Sequence, residues 1–218
     1  MSDGRPQLEE GWVDRDLALE FPELRLVSLA VPARHGRTPP GLRERLRLLS
    51  SRFHGARAVA LRREPVPAAY RVFFRQVGLD PDVDRTPAEE AARIRLVRGE
   101  FGGGGDVLGD ALMLAVVETG VPVFALDDDR VDGPLGLRAA AAAGERLGEG
   151  DLASDVPAGR VVVADAARPV AVLFGAVAPS HQPGRRTRRL RVCAVGVAGV
   201  PALHVEEALW TCADALED

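Results

Sequence analysis

The stretch LGDALMLAVVETGVPVFALDDDRVDGPLGLRAAAAAGERL, residues 108–147, is where the chain changes character. Asp110–Thr119 is almost wholly apolar over about three helical turns, which predicts a buried helix. Gly120 then ends it. Val121–Leu126 brings β-branched and aromatic residues and reads as a strand. The run DDDRVDGP concentrates turn formers, and Leu135–Ala139 reads as a second strand.

Upstream of this stretch the pattern is mainly helical. The first dozen residues are polar and read as frayed, followed by a short helix at Asp14–Glu20 that Pro22 stops. Leu24–Val31 alternates as a strand. Thr38 before Pro39 and Pro40 marks a helix start, and Leu42, Leu46, Leu49 and Phe53 form one apolar face. Residues 57–63 read as ambiguous. Pro67 opens a helix whose stripe is Tyr70, Phe73, Phe74 and Val77. Thr86-Pro87-Ala88-Glu89 is a capping box for a helix running to Arg98 and closed by Gly99. Gly102–Gly105 reads as a flexible loop.

Downstream the pattern is mainly strands: Arg160–Ala164, Val170–Val177 and Arg188–Val197, before a last helix at Leu203–Leu216. Helices early and strands late predict an α+β class, or a layered α/β single domain, rather than a doubly wound sheet.

Composition narrows the functional classes. The chain has 218 residues, 46% of them apolar, and a formal charge of -4. That excludes collagenous, disulfide-stapled and wholly disordered chains, and argues against a broadly cationic nucleic-acid binder. No apolar run is long enough to span a bilayer and the start is too polar for a signal peptide, so a cytoplasmic protein is expected. Every basic residue is arginine, which removes any lysine nucleophile or Schiff base. Cys193 and Cys212 form no CxxC or metal spacing and read as reduced thiols.

Several features resemble chemistry without its full pattern. The GGGG run lacks the Gly-Lys-Ser/Thr of a phosphate loop, and His204-x-Glu206-Glu207 lacks the second histidine of a zinc-protease helix. Asp127, Asp128, Asp129 and Asp132 lack calcium-loop spacing and read as a solvated turn. No Ser–His–Asp or Cys–His set is legible. Arg185, Arg186, Arg188, Arg189 and Arg191 form the strongest electrostatic feature. They read either as an anion-attracting strip, with Arg189 and Arg191 on one strand face, or as a charged edge strand.

A succession of landmarks adds a family likeness. Asp110, Gly120, Pro122, Leu126-Asp127, Gly133, Arg138 and Gly144-Glu145 are followed by VVVAD (Val161–Asp165), AVLFGAVA and Thr187. This order resembles the B3/B4 domain of the phenylalanyl-tRNA synthetase beta subunit. AAYRVFFRQVGLDP, RTPAEEAARIRLVRG and the opening FPELRLVSLAV are similar to the free-standing version of that domain. The resemblance runs from about Asp14 to about Leu216. It implies a B3/B4-like tRNA-binding domain over residues 14–218, behind a frayed stretch at 1–13. Its fold would be that shared with the C-terminal part of tRNA-lysidine synthetase, a mixed β-sheet core flanked by helices.

In the synthetase this domain contacts tRNA and hydrolyses tyrosine mischarged onto the phenylalanine tRNA. The residues of that editing site are not carried over. The family's histidine in its Pro-x-His-Ala-Phe-Asp run falls on Phe124, its threonine after Val-Asp on Leu112, and its glutamate near Cys193. Phe124 and Leu112 offer neither donor nor acceptor.

The resemblance therefore implies a stand-alone, bacterial-type module that binds tRNA or an aminoacyl or amino-acid-like ligand without the editing constellation. Its pocket candidates are Arg71, Asp110, Leu112, Phe124, Gly175 and Cys193. Read locally, Arg71 would be a helix-surface arginine and Asp110 an N-cap. The candidate RNA-phosphate contacts are Arg185, Arg186, Arg188, Arg189 and Arg191. No catalytic residue, metal or cofactor is assigned, and no DNA or membrane partner is expected. Two other readings stay open. One is a trans-editing aminoacyl-tRNA deacylase that uses substrate-assisted water attack with backbone amides holding the oxyanion. The other is a protein-partner module with no RNA role. Nothing in the sequence fixes the oligomeric state.

Overall fold

The computed structural model describes residues 6–102 and 105–217. The fold is α+β, with seven α-helices and mixed sheets among the described residues. The chain divides into two compact units, each built from two separate stretches: 1–33 with 125–196, and 34–124 with 197–218.

The first unit holds the sheets. Strands β1 (Leu8–Glu10), β3 (Arg25–Pro32), β10 (Arg189–Gly196) and β4 (Val123–Asp127) form one sheet in the order β1-β3-β10-β4, with the unit boundary falling inside β4. Strands β2 (Trp12–Val13), β5 (Gly136–Ala139), β8 (Val161–Ala164) and β9 (Pro169–Val172) form a second. That sheet is mixed: β2 lies parallel to β5, and the other pairs are antiparallel. A hairpin of β6 (Glu145–Leu147) and β7 (Ser154–Val156) completes the unit's strands, and helix α1 (Arg15–Glu20) follows β2.

Residues 8–10 and 12–13 are thus strands where the sequence reads as frayed. Two close approaches explain it. The Gly11 amide donates to Leu26 O at 2.8 Å, and the Trp12 ring lies directly on Gly136, where a Cβ would sit 2.0 Å from the indole. Both contacts join residues more than ten positions apart, beyond the reach of local pattern.

The strand expected at Val170–Val177 also differs, because β9 stops at Val172. The chain then turns through Phe174 at φ 57°, and Val177 bridges back to Ala171. The arginine-rich β10 is not an edge strand, since it lies between β3 and β4.

The second unit is helical: α2 (Pro40–Arg52), α3 (Gly55–Ala60), α4 (Pro65–Gln76), α5 (Pro87–Arg98), α6 (Val107–Thr119) and α7 (Ala202–Glu217). The ambiguous 57–63 stretch is α3 running into a 3₁₀ turn at Leu61–Arg63. The capping box at Thr86 and Glu89 forms with both reciprocal bonds, and Gly99 closes α5 in the left-handed conformation. Helix α6 buries Ala111, Leu114 and Ala115 completely and packs against α7, which buries Val205, Leu209 and Cys212.

Two helix starts differ from expectation. Asp106, not Asp110, caps α6, accepting from the Gly109 amide. Helix α2 begins at Pro40 behind Pro39 with no side-chain cap. The side chains that the sequence offers at these starts, Asp110 and Thr38, make a tertiary contact instead.

Candidate functional site

That contact is direct. Thr38 Oγ1 donates to Asp110 Oδ2 at 2.5 Å, and both residues are buried. Asp110 lies one turn inside α6 and lines a cavity of about 370 Å³ in the helical unit. Arg37, Thr38, Arg43, Leu46, Phe101 and Asp110 line it.

Each wall has its own support. Arg43 Nη2 donates to Thr38 O at 2.9 Å, which fixes the guanidinium at the mouth. The Gly36 carbonyl accepts from the Val107 amide at 3.2 Å, tying the 33–39 loop to the start of α6. The Phe101 amide donates to Ser50 Oγ at 2.7 Å, and its ring meets Phe53 edge-on at 5.1 Å between centroids. Gly102 passes so close that a Cβ there would sit 2.6 Å from Asp110 Oδ1. Asp110 is only 5% exposed, and its Oδ2 is the oxygen that accepts from Thr38. A carboxylate so deeply placed calls for a donor or a cation.

The other sequence-predicted residues do not gather here. Arg71 is buried, not a helix-surface arginine. Its Nη1 donates to Glu89 Oε1 at 2.6 Å and to Pro81 O at 3.2 Å, and its Nη2 to Asp82 Oδ1 at 2.6 Å. It is a clamp holding the 80–84 turn against α4 and α5. Leu112 lines a separate, mostly apolar groove of about 350 Å³ between α5 and α6 with Ala91, Ile94 and Met113. Phe124 is half-buried on β4, and Gly175 is exposed in the turn after β9. Cys193 is fully buried in the middle of β10, where burial pushes its thiol up and leaves it inert. Cys212 is likewise pushed up, to about 12.

The arginine strip meets the aspartate turn. Arg191 Nε donates to Asp128 Oδ1 at 2.7 Å, Arg189 reaches Asp128 Oδ2 at 3.4 Å, and Arg188 reaches Asp129 Oδ2 at 3.3 Å. Thr187 Oγ1 donates to Asp127 Oδ2 at 2.8 Å. Of the four aspartates expected to be solvated, Asp128 and Asp129 are therefore counter-ions of the strip, whereas Asp132 is exposed as expected. Only Arg185 and Arg186 of the five are exposed without an ion pair among the described residues.

One further cluster was not legible in sequence. His181 is buried with Nδ1 3.0 Å from Ser180 Oγ and Nε2 3.7 Å from Asp165 Oδ2. Asp165 already accepts from the amides of Asp132, Ala167 and Arg168, so its carboxylate organises the turn before β9. Among the described residues no group of three or more His, Cys, Asp or Glu is placed to hold a metal ion, and no helix is long and apolar enough to cross a membrane.

Sequence reasoning found Asp110 but missed Arg37, Thr38, Arg43 and Phe101. No local signal marks these residues, because they meet Asp110 only through the fold. No family model matches this chain, and no curated protein matches it.

Proposed function

We propose that the chain is a B3/B4-like binding module that takes an amino-acid-like group, free or carried on a tRNA end, in the Asp110 cavity. The observation that carries this reading is the Asp110 carboxylate, on a residue only 5% exposed, lining a cavity of about 370 Å³. That size suits a small ligand, and the carboxylate suits an ammonium group. Leu46 and Phe101 provide apolar wall for a side chain. Arg185 and Arg186 are the candidate phosphate contacts of the strip, because Arg188, Arg189 and Arg191 are engaged by aspartates.

The reading is a binding function rather than hydrolysis. Neither cysteine is a nucleophile, and Leu112 and Phe124 supply no polar group to orient a water.

The test measures binding of aminoacyl-tRNA and of free amino acids to the wild type and to Asp110→Asn. A charged hydrogen bond of roughly 1.5–3 kcal/mol predicts about a 10- to 100-fold loss of affinity in the variant. Absence of binding in both ligand classes, or equal binding by Asp110→Asn, refutes the assignment. Release of amino acid from mischarged tRNA above the buffer rate replaces it with the deacylase.

A further inference from the structure

The charges of this chain are unevenly placed. Residues 34–100 carry 15 arginines against 8 carboxylates, a net +7 with histidine neutral, while the rest of the chain carries a net -11. The whole positive segment lies in the helical unit. Six of its arginines, among them Arg45, Arg47 and Arg71, are matched by ion pairs. The other nine make no ion pair among the described residues.

Four of the nine gather at one corner, where α2 and α5 end. Arg95 Nε donates to Ser50 O at 2.9 Å, which ties the last turn of α5 to the last turn of α2. Arg98 is exposed and three residues on from Arg95, on the same side of α5. Arg52 is exposed in the same final turn as Ser50. Arg57, on α3, stands over the Phe53 ring at 5.9 Å from its centroid. A carbonyl and an aromatic face thus orient two of these guanidiniums, and neither group cancels their charge. Glu100, close to Arg98 in sequence, pairs with none of the four among the described residues.

The helix ends account for only part of this charge. Each C-terminus carries about half a negative charge, so the two together offset about one of the four positive charges. What remains is a patch of one sign. Protein surfaces usually intersperse both signs, whereas a nucleic-acid backbone is negative throughout. The guanidinium fork also matches phosphate oxygens in a two-bond geometry.

We infer that the corner formed by α2, α3 and α5 is a docking surface for the phosphodiester backbone of RNA, with Arg52, Arg57, Arg95 and Arg98 as its contacts. These residues lie in a different unit from Arg185 and Arg186. The surface also goes beyond the Asp110 cavity: it needs no amino-acid ligand there.

The experiment is fluorescence anisotropy of the full chain with a labelled single-stranded RNA and with a labelled polyglutamate of equal charge, each over a salt series. The expected result is RNA binding whose logarithm falls with log salt at a slope of about -3, for four contacts. Arg52→Gln, Arg57→Gln and Arg98→Gln combined break no ion pair. That triple variant makes the slope shallower by roughly two and weakens binding at about 0.1 M salt by about tenfold or more. The same three positions changed to Lys keep most of the slope, and thermal melts show that each variant folds. If the Gln triple unfolds, Arg52→Gln with Arg98→Gln carries the test, with a slope change of about one. No RNA binding at low salt, or an unchanged slope in the Gln variants, overturns the inference. Polyglutamate bound as tightly as RNA overturns it in favour of an acidic protein partner. A chain that binds RNA this way but no amino acid refutes the cavity reading and leaves the docking surface standing.

Discussion

Arg191 Nε donates to Asp128 Oδ1 at 2.7 Å while its Nη1 reaches Glu9 Oε2 at 2.6 Å. One guanidinium on β10 thereby joins the turn after β4 to strand β1, positions far apart in sequence. The same bond changes what the arginine strip is. Its strand half is an internal ion network with Asp128 and Asp129, and only the loop half, Arg185 and Arg186, faces solvent without an ion pair among the described residues. The Arg191 side chain is 16% exposed and that of Asp128 is 10% exposed, so water does little to screen them.

Arg191→Ala is therefore expected to destabilise the protein by roughly 2 kcal/mol, because it removes the nearer partner of a largely buried carboxylate and leaves Asp128 only its 3.4 Å contact with Arg189. Urea unfolding measures this. A loss below about 1 kcal/mol, the usual worth of an exposed pair, contradicts the burial argument. Arg185→Gln with Arg186→Gln should leave stability within about 0.5 kcal/mol of wild type. If these residues contact phosphates, the double variant lowers the salt dependence of tRNA binding by a slope of roughly two.

The helices were legible because their signals are local. The Thr86 capping box, Gly99 and Gly120 each settle an end within four residues, and the α4 stripe of Tyr70, Phe73 and Phe74 faces inward as its spacing predicts. What sequence could not show are pairings across distance. The strip at 185–191 and the aspartates at 127–129 read as two separate solvated features, yet each is the other's counter-charge. Arg71 reads as a surface arginine because Asp82 and Glu89 lie in other elements. Asp110 stands out in sequence, whereas the loop and helix residues that make it a site, Thr38 and Arg43, reach it only through the fold.

Gly102 gives the cavity a sensitive probe. Its φ is +71°, and a Cβ there would lie 2.6 Å from Asp110 Oδ1 and 2.8 Å from Leu46 Cδ1. Gly102→Ala should cost roughly 2–4 kcal/mol, combining left-handed backbone strain with overpacking. It should also abolish L-phenylalanine binding by displacing the carboxylate. Gly105 is the control: its φ is +75°, but nothing lies within 4 Å of an added Cβ. Gly105→Ala, also at the cavity, should cost only about 1–2 kcal/mol, because it carries the strain without the overpacking. Equal thermal shifts in the two variants, with binding kept in both, would show that the Gly102 contact does not shape the cavity.

Asp165 predicts a specific pH dependence. Burial pushes its carboxyl up, but the amides of Arg168, Asp132 and Ala167 donate to it and together hold it below the ordinary 3.8. The folded state thus favours the ionised form more than the unfolded chain does. The resulting stabilisation is fully present above the ordinary aspartate value and disappears as pH falls through the depressed folded value. Asp165→Asn cannot ionise and lacks this contribution at every pH. At pH 7 the variant should be less stable by roughly 1–3 kcal/mol, the cost of replacing a buried acceptor that three amides share. Below the ordinary aspartate range the wild type loses its ionic advantage and the two stabilities should converge. Urea unfolding of both proteins from pH 7 downward reads this directly. A gap that stays constant across the acid range would mean the carboxylate's charge contributes nothing and the turn is held by shape alone.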